Sequence, residues 1–168
     1  MLRTTSRVNI MTSTNTTITP LVPNDEISIC AEIFSTTEPW ITFGMDTNHF
    51  MKMLSNPLNE VYTLKVEHVI AGVIIIQMQG PFPGYIKSIV IDKKWEGNGY
   101  GRQLLEFSEQ RIFKDSPNVF LCVSSFNDKA IPFYQKLGYE KVGELENYLI
   151  VGESEIIMRK TLGPVLGY

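Results

Sequence analysis

Cysteine and histidine are nearly absent, with two of each in 168 residues. Cys30 and Cys122 therefore build neither a disulfide framework nor a multi-cysteine zinc site. Both sit in apolar runs, where a thiol packs as a small core side chain. His49 and His68 lack ligand spacing, which excludes a histidine-rich metal centre. Charge is sparse at 20% of the chain, with 15 Lys and Arg against 18 Asp and Glu for a net of −3. Without a cationic run the chain cannot neutralise a row of phosphates, so no nucleic-acid partner is expected. A mildly acidic surface suits a cationic substrate such as an amine. No apolar stretch approaches the ~18 residues that a membrane helix needs, and no membrane partner is expected. Residues Met1 to Thr17 are rich in Ser, Thr and Asn and lack the apolar segment of a secretory signal. They read as a disordered leader, with Met11 available as a second start, and the expected location is the cytoplasm.

What remains has a globular composition, 43% hydrophobic, and the length of one domain. That domain is expected over residues 18–162, followed by a short tail at 163–168. A first strand is read at Ile18 to Val22 and a helix from about Glu26 to Ser35, capped by Asn24 or Asp25. A second helix, Asp46 to Leu54, starts at an Asp46/Thr47 cap. The period then changes: Glu60 to Val66 and Val69 to Met78 are β-branched runs joined at Glu67-His68, an antiparallel hairpin. Further strands are read at Tyr85 to Asp92 and Asn118 to Ser124, with an amphipathic helix from Gly99 to Phe113 between them. A last helix, Asp128 to Leu137, ends at Gly138, where a left-handed cap is expected. Tyr139 to Val142 and Glu155 to Lys160 close the pattern. The strand–helix–strand crossover forces at least one parallel pair into a mixed α/β sheet.

The informative stretch is Glu96-Gly97-Asn98-Gly99-Tyr100-Gly101-Arg102, placed between an apolar strand and a helix. Glycine permits positive φ and close approach of a ligand to the main chain. The first N–H groups of the helix have no internal partner and lie at its positive end. Strand, loop and helix start thus form an anion cradle suited to a phosphate or pyrophosphate, to which Arg102 adds a cation. A dinucleotide fingerprint is excluded because Arg102 stands where its third glycine is required, and a Walker loop because no Gly-Lys-Ser/Thr follows.

These residues resemble the GNAT superfamily of acetyl-CoA-dependent N-acetyltransferases, whose phosphate loop reads Arg/Gln-x-x-Gly-x-Gly/Ala. The continuation Gly101-Arg102-Gln103-Leu104-Leu105 is similar to the family. So is a second block with Asn127, Ala130 and Phe133-Tyr134-Gln135-Lys136-Leu137-Gly138-Tyr139. The resemblance spans roughly Ile18 to Lys160. It implies an α+β fold: a mixed, mostly antiparallel sheet of about six to seven strands with a central parallel pair, flanked by about four helices. It also implies acetyl-CoA as cosubstrate, held in a splay between the strands ending near Asp92 and at Ser124. The pantetheine arm would pair with the main chain of Ile89, Val90 and Ile91. The pyrophosphate would rest on the N–H groups of Gly97, Asn98, Gly99, Tyr100, Gly101 and Arg102, with Asn127 on the pantetheine side. Glu96 departs from the family pattern, and its side chain is expected to turn outward.

The implied reaction is direct attack of a primary amine, on a small molecule or a peptide N-terminus, upon the thioester. Tyr134 matches the family tyrosine near the sulfur and, as a phenol with ordinary pKa near 10, suits the general acid. It is expected both to catalyse and to touch the coenzyme. An N–H near Val90 or Ile91 would hold the oxyanion. The base is not identified by resemblance, because ribosomal-protein N-terminal acetyltransferases carry a glutamate where this chain has Cys122. Ser124, Ser125, Glu146, Tyr148 and Glu60 are candidate polar groups. Cys122 is a poor nucleophile in an apolar strand. Specificity is expected from the two N-terminal helices with Glu38-Pro39-Trp40, and from a late loop at Glu144 to Leu149. A non-catalytic acyl-CoA sensor remains the alternative, and family members are often homodimers.

Overall fold

A computed structural model describes residues 15–167. The expected leader therefore lies largely outside the described residues, but Thr16 and Thr17 already belong to β1 (Thr16–Pro20), ahead of the expected start at Ile18. In chain order there follow α1 (Pro23–Ser35), α2 (Thr47–Leu54), β2 (Asn59–Val66), β3 (Val69–Gln77) and β4 (Tyr85–Ile91). A 3-10 turn (Lys93–Trp95) precedes α3 (Tyr100–Ile112), β5 (Asn118–Ser124), α4 (Ala130–Lys136), β6 (Glu140–Glu146) and β7 (Ser154–Thr161). The strands form one sheet in the order β1-β2-β3-β4-β5-β7-β6, antiparallel except for β4 against β5. This is the mixed sheet with a central parallel pair that the residues led us to expect.

Local chemistry explains most boundaries. Asp46 caps α2 by accepting the His49 N–H at 2.8 Å. The β2–β3 turn holds both Glu67 and His68 at positive φ, the geometry that matches the twist of a two-residue hairpin. Gly138 takes φ +90° after α4. The start of α1 differs from expectation: neither Asn24 nor Asp25 caps it. Val22 is the N-cap residue and Pro23 occupies the first turn, its fixed φ already helical. The carboxylate of Glu26 reaches back to accept the Val22 N–H at 3.0 Å. The late loop is also shorter than expected, because β6 runs on through Glu144, Leu145 and Glu146.

Helices cover both faces. On one, α3 packs over Leu64, Ile74, Ile76, Leu121 and Met158; on the other, α1 and α2 pack over Val61, Val73, Ile75 and Val90. Phe34 and Phe50 stack at 4.8 Å under the edge of Trp40 and anchor the second core.

A buried polar knot ties α1 to the sheet. Lys65 reaches Glu26 at 2.5 Å, and the Thr63 hydroxyl joins them. Burial pushes the Glu26 carboxyl up, but hydrogen bonds from Lys65 and Val22 outweigh it and hold the group below its ordinary 4.5. A depressed folded-state pKa gives stability that is full above the unfolded value and is lost as pH falls through the folded one. Unfolding free energy measured by denaturant titration is therefore expected to drop between pH 5 and pH 3 by a larger margin in the parent than in Glu26→Gln.

Candidate active site

The central feature arises from one extra residue. Along β3 and β4 the pairs run Gly72↔Ile91 to Ile75↔Ser88 and then step to Ile76↔Ile86, leaving Lys87 as a β-bulge. The insertion flips the faces: Ile86 points into the core under α3, whereas Val90 points into the core under α1. It also bends β4 away from β5. The parallel pairing consists of Tyr85↔Phe120 and Ile86↔Leu121 and then stops, so the two strands diverge into a V.

Register fixes which main-chain groups line the V. The Asp92 N–H donates to the Ala71 carbonyl at 2.9 Å, which makes that opposed pair hydrogen-bonded. In an antiparallel ladder bonded and non-bonded pairs alternate, so Val90 is spent on Val73 of β3 while Ile89 and Ile91 turn their N–H and C=O groups to the open edge. The expected set Ile89, Val90, Ile91 is corrected accordingly: the geometry leaves Ile89 and Ile91 free to pair, and removes the Val90 N–H as an oxyanion donor.

Below the V lies the glycine loop. Asp92 caps the 3-10 turn through the Lys94 N–H, and the Asn98 amide donates to the carbonyls of Trp95 and Glu96 at 3.0 and 3.1 Å. The Asn98 side chain thus braces the loop. Gly97 and Gly99 stand at φ +78° and +80°, and a Cβ on either would meet open space. Gly99 is the N-cap of α3 with no side-chain cap, so the N–H groups of Tyr100, Gly101 and Arg102 have no intrahelical acceptor. They border a hollow of about 300 Å³ between Trp95 and Phe133. The Tyr100 ring is buried against Trp95, so its contribution is the main chain alone. The Arg102 guanidinium binds Glu106 at 2.7 Å along the helix, and Arg102 borders the hollow. Glu96 is exposed and borders the same hollow.

Higher in the V, one cleft brings together Ile89, Asn127, Tyr134, Cys122, Ser124, Tyr85 and Glu155. The Asn127 carboxamide oxygen accepts the Ala130 N–H at 3.2 Å, which starts α4 and leaves the amide hydrogens to the cleft. Tyr134 is buried, and burial pushes its phenol up to about 12. Burial also raises Cys122 and Tyr85, so neither thiol nor phenol ionises readily. Glu155 was not singled out by sequence reasoning. It stands opposite Ser124 on β7, 6% exposed, and accepts the Ser124 hydroxyl at 2.6 Å. Burial raises its carboxyl and the serine hydrogen bond only partly offsets this. Of the other polar groups considered, Ser125 binds Glu153 at 2.6 Å and Glu60 binds Arg111 at 2.6 Å, a structural pair on another face. At the mouth of the cleft stand Pro39, Trp40, Phe43 and Leu149. Phe43 meets Phe126 edge-on at 5.9 Å.

A splayed parallel pair above a capless glycine-rich helix start defines an acyl-coenzyme A-binding transferase fold. The model of the acetyltransferase (GNAT) family matches residues 26–139, and the chain belongs to that family. It is similar to the N-alpha-acetyltransferase RimI of Mycobacterium tuberculosis, 28% identical over 137 residues that cover 79% of this chain and 82% of the relative. In fold it resembles the ribosomal-protein-S18-alanine N-acetyltransferase of Escherichia coli, with TM-score 0.72, 21% identity, and 92% and 99% of the two chains covered. It also resembles an aminoglycoside 6'-N-acetyltransferase solved with coenzyme A, with TM-score 0.74, 17% identity, and 88% and 98% covered. The chain is an acyltransferase whose cosubstrate is acetyl-CoA. Among the described residues no helix is long and apolar enough to cross a membrane.

Proposed function

We propose that a single acetyltransferase domain, acting in the cytoplasm, moves the acetyl group of acetyl-CoA to a free α-amino group of a peptide. The pantetheine arm pairs with Ile89 and Ile91 along the open edge of β4, and Asn127 donates to it from α4. The pyrophosphate sits on the N–H groups of residues 97–102, where open space beside Gly97 and Gly99 accommodates it. Acetyl-CoA supplies an activated thioester carbonyl. Tyr134, a phenol that stays protonated well beyond neutral pH, donates the proton that the departing sulfur requires. A main-chain N–H on the open edge polarises the carbonyl oxygen.

The observation that carries the choice of acceptor is the composition of the cleft wall. It offers one carboxylate, Glu155, one cation, Lys87, and an apolar rim of Pro39, Trp40, Phe43 and Leu149. A polycationic aminoglycoside needs several carboxylates, because each unpaired ammonium pays desolvation in such a cleft. A single amine beside an apolar side chain fits the wall better, in keeping with the N-alpha-acetyltransferase relative. Peptides with free N-termini, kanamycin and spermidine are to be screened with acetyl-CoA and read by mass for gain of one acetyl group. Peptides beginning with an apolar residue are expected to be the best acceptors; preferential acetylation of kanamycin overturns the assignment. Acetyl-CoA at 100 times its Kd should add about 2.7 kcal/mol to stability in a thermal-shift series, and ATP and NAD should add none. Binding without turnover across the panel would identify a sensor instead.

A further inference from the structure

The splayed sheet has two faces, and the groups able to move protons are divided between them. On β5, Val119, Leu121 and Val123 point into the core under α3, so by alternation Cys122 and Ser124 point to the side of α1 and α2. On β7, Ile156 and Met158 share the α3 side, which sends Glu155 to the opposite face, directly across from Ser124. Tyr134 belongs to the α3 side. Both open into the same V.

From this arrangement, and resting on the acetyl-transfer reading above, we infer that Glu155 is the general base. It takes the proton of the amine that arrives on the α1–α2 face, while Tyr134 serves the sulfur from the α3 face. An α-ammonium with pKa about 8 must lose a proton before its nitrogen can attack. Glu155 takes that proton and passes it to solvent. The nitrogen then bonds to the acetyl carbon, the carbon–sulfur bond breaks, and the second nitrogen proton goes to the carboxylate. The sulfur receives the Tyr134 proton, and the phenol is recharged by the proton that Glu155 holds. Amide and thiol form with net release of one proton.

The surroundings suit the role. Tyr85 reaches toward Glu155 from β4, Cys122 and Ser124 from β5, and Lys87 and Tyr148 border the same region. On β6 its partner is Leu145, flanked by Glu144 and Glu146, and the Glu144 carboxylate is engaged by Lys141. Glu153, two residues earlier and just ahead of β7, is held by Ser125. Among the described residues no Lys or Arg forms an ion pair with Glu155, so its burial is not relieved by a cation and the carboxylate is more basic than usual. Ser124 engages one carboxylate oxygen and orients the group. The thiol at Cys122, raised by burial, does not compete.

The test uses the full chain, acetyl-CoA and the peptide Phe-Ala-Ala-Ala. Glu155→Gln keeps the shape and an acceptor for Ser124, and is expected to lower kcat/KM at neutral pH by about 100-fold or more, the usual range for a lost general base. Its Kd for acetyl-CoA should stay within about twofold. Ser124→Ala removes the hydrogen bond that favours the carboxylate, so the acidic limb of its kcat/KM profile should move to higher pH. A purely structural Glu155 would not move that limb. Activity of Glu155→Gln within about threefold of the parent, or an acidic limb unmoved in Ser124→Ala, overturns the assignment. Should Glu155→Gln fail to fold, the Ser124→Ala profile decides alone. The coenzyme reading fails separately, through absence of acetyl-CoA binding by the parent.

Discussion

Replacing Tyr134 with phenylalanine is expected to lower kcat by about 100-fold or more, the loss typical of a removed general acid. The Kd for acetyl-CoA, measured by calorimetry, should change little. The split follows from where the side chain lies. Its ring packs edge-on against Tyr139 at 5.6 Å within the core under α3, and phenylalanine preserves that contact. What disappears is the hydroxyl at the cleft. Because burial pushes the phenol up to about 12, the acid form persists through the whole neutral and mildly alkaline range. The basic limb of the parent's kcat profile should therefore not appear below about pH 11, and a limb near 9 would point to a different acid. Unchanged kcat in Tyr134→Phe removes the residue from the chemistry while leaving the coenzyme site intact.

How much of this was legible in the sequence depends on which interactions fix each feature. Hairpin β2–β3, the Asp46 cap, strand β5 and the glycine loop are specified within a few residues, and local chemistry suffices to read them. The bulge at Lys87 is not local. β4 is covered on both faces, so its residues show no clear alternation, and only pairing with β3 reveals that one residue has no partner. That single insertion decides that Val90 pairs inward and that Ile89 and Ile91 turn their main-chain groups to the open edge of β4. β6 was read short for the opposite reason. Glu140–Glu146 is an exposed edge strand, and the charges that guard such an edge hide the apolar period used to find strands. Glu155 was hidden by topology. A lone glutamate in a strand ordinarily faces water, and its burial follows from β7 lying between β5 and β6, which brings Ser124 opposite it. The spacing places Arg102 in the first turn of α3, where its guanidinium pairs with Glu106 one turn later.

The second large effect is expected at the point where the V begins. Gly84 stands at φ +90°, accepts the Phe120 N–H through its carbonyl at 3.0 Å and donates its own N–H to Gln77 at 3.2 Å. It thereby joins β3, β4 and β5 just before the bulge separates the last two. A Cβ here would lie 2.4 Å from the Asn118 carbonyl oxygen and 2.5 Å from Ile112. The first neighbour is main chain, held in β5, and it cannot move without breaking the parallel pairing. Gly84→Ala thus combines left-handed strain, of order 1–2 kcal/mol, with overpacking of about 1–3 kcal/mol. A loss of roughly 2–5 kcal/mol is a large share of the 5–15 kcal/mol that holds a typical domain. At about 2–4 °C per kcal/mol for this length, the melting temperature should fall by roughly 4–20 °C. Saturating acetyl-CoA should recover part of that loss, because the coenzyme binds the splayed arrangement and not the unfolded chain. Gly80 makes the control: it shares a positive φ of +102°, but a Cβ there meets nothing within 4 Å. Gly80→Ala should therefore show the strain alone, and equal losses at the two positions would remove the clash with β5 as the cause.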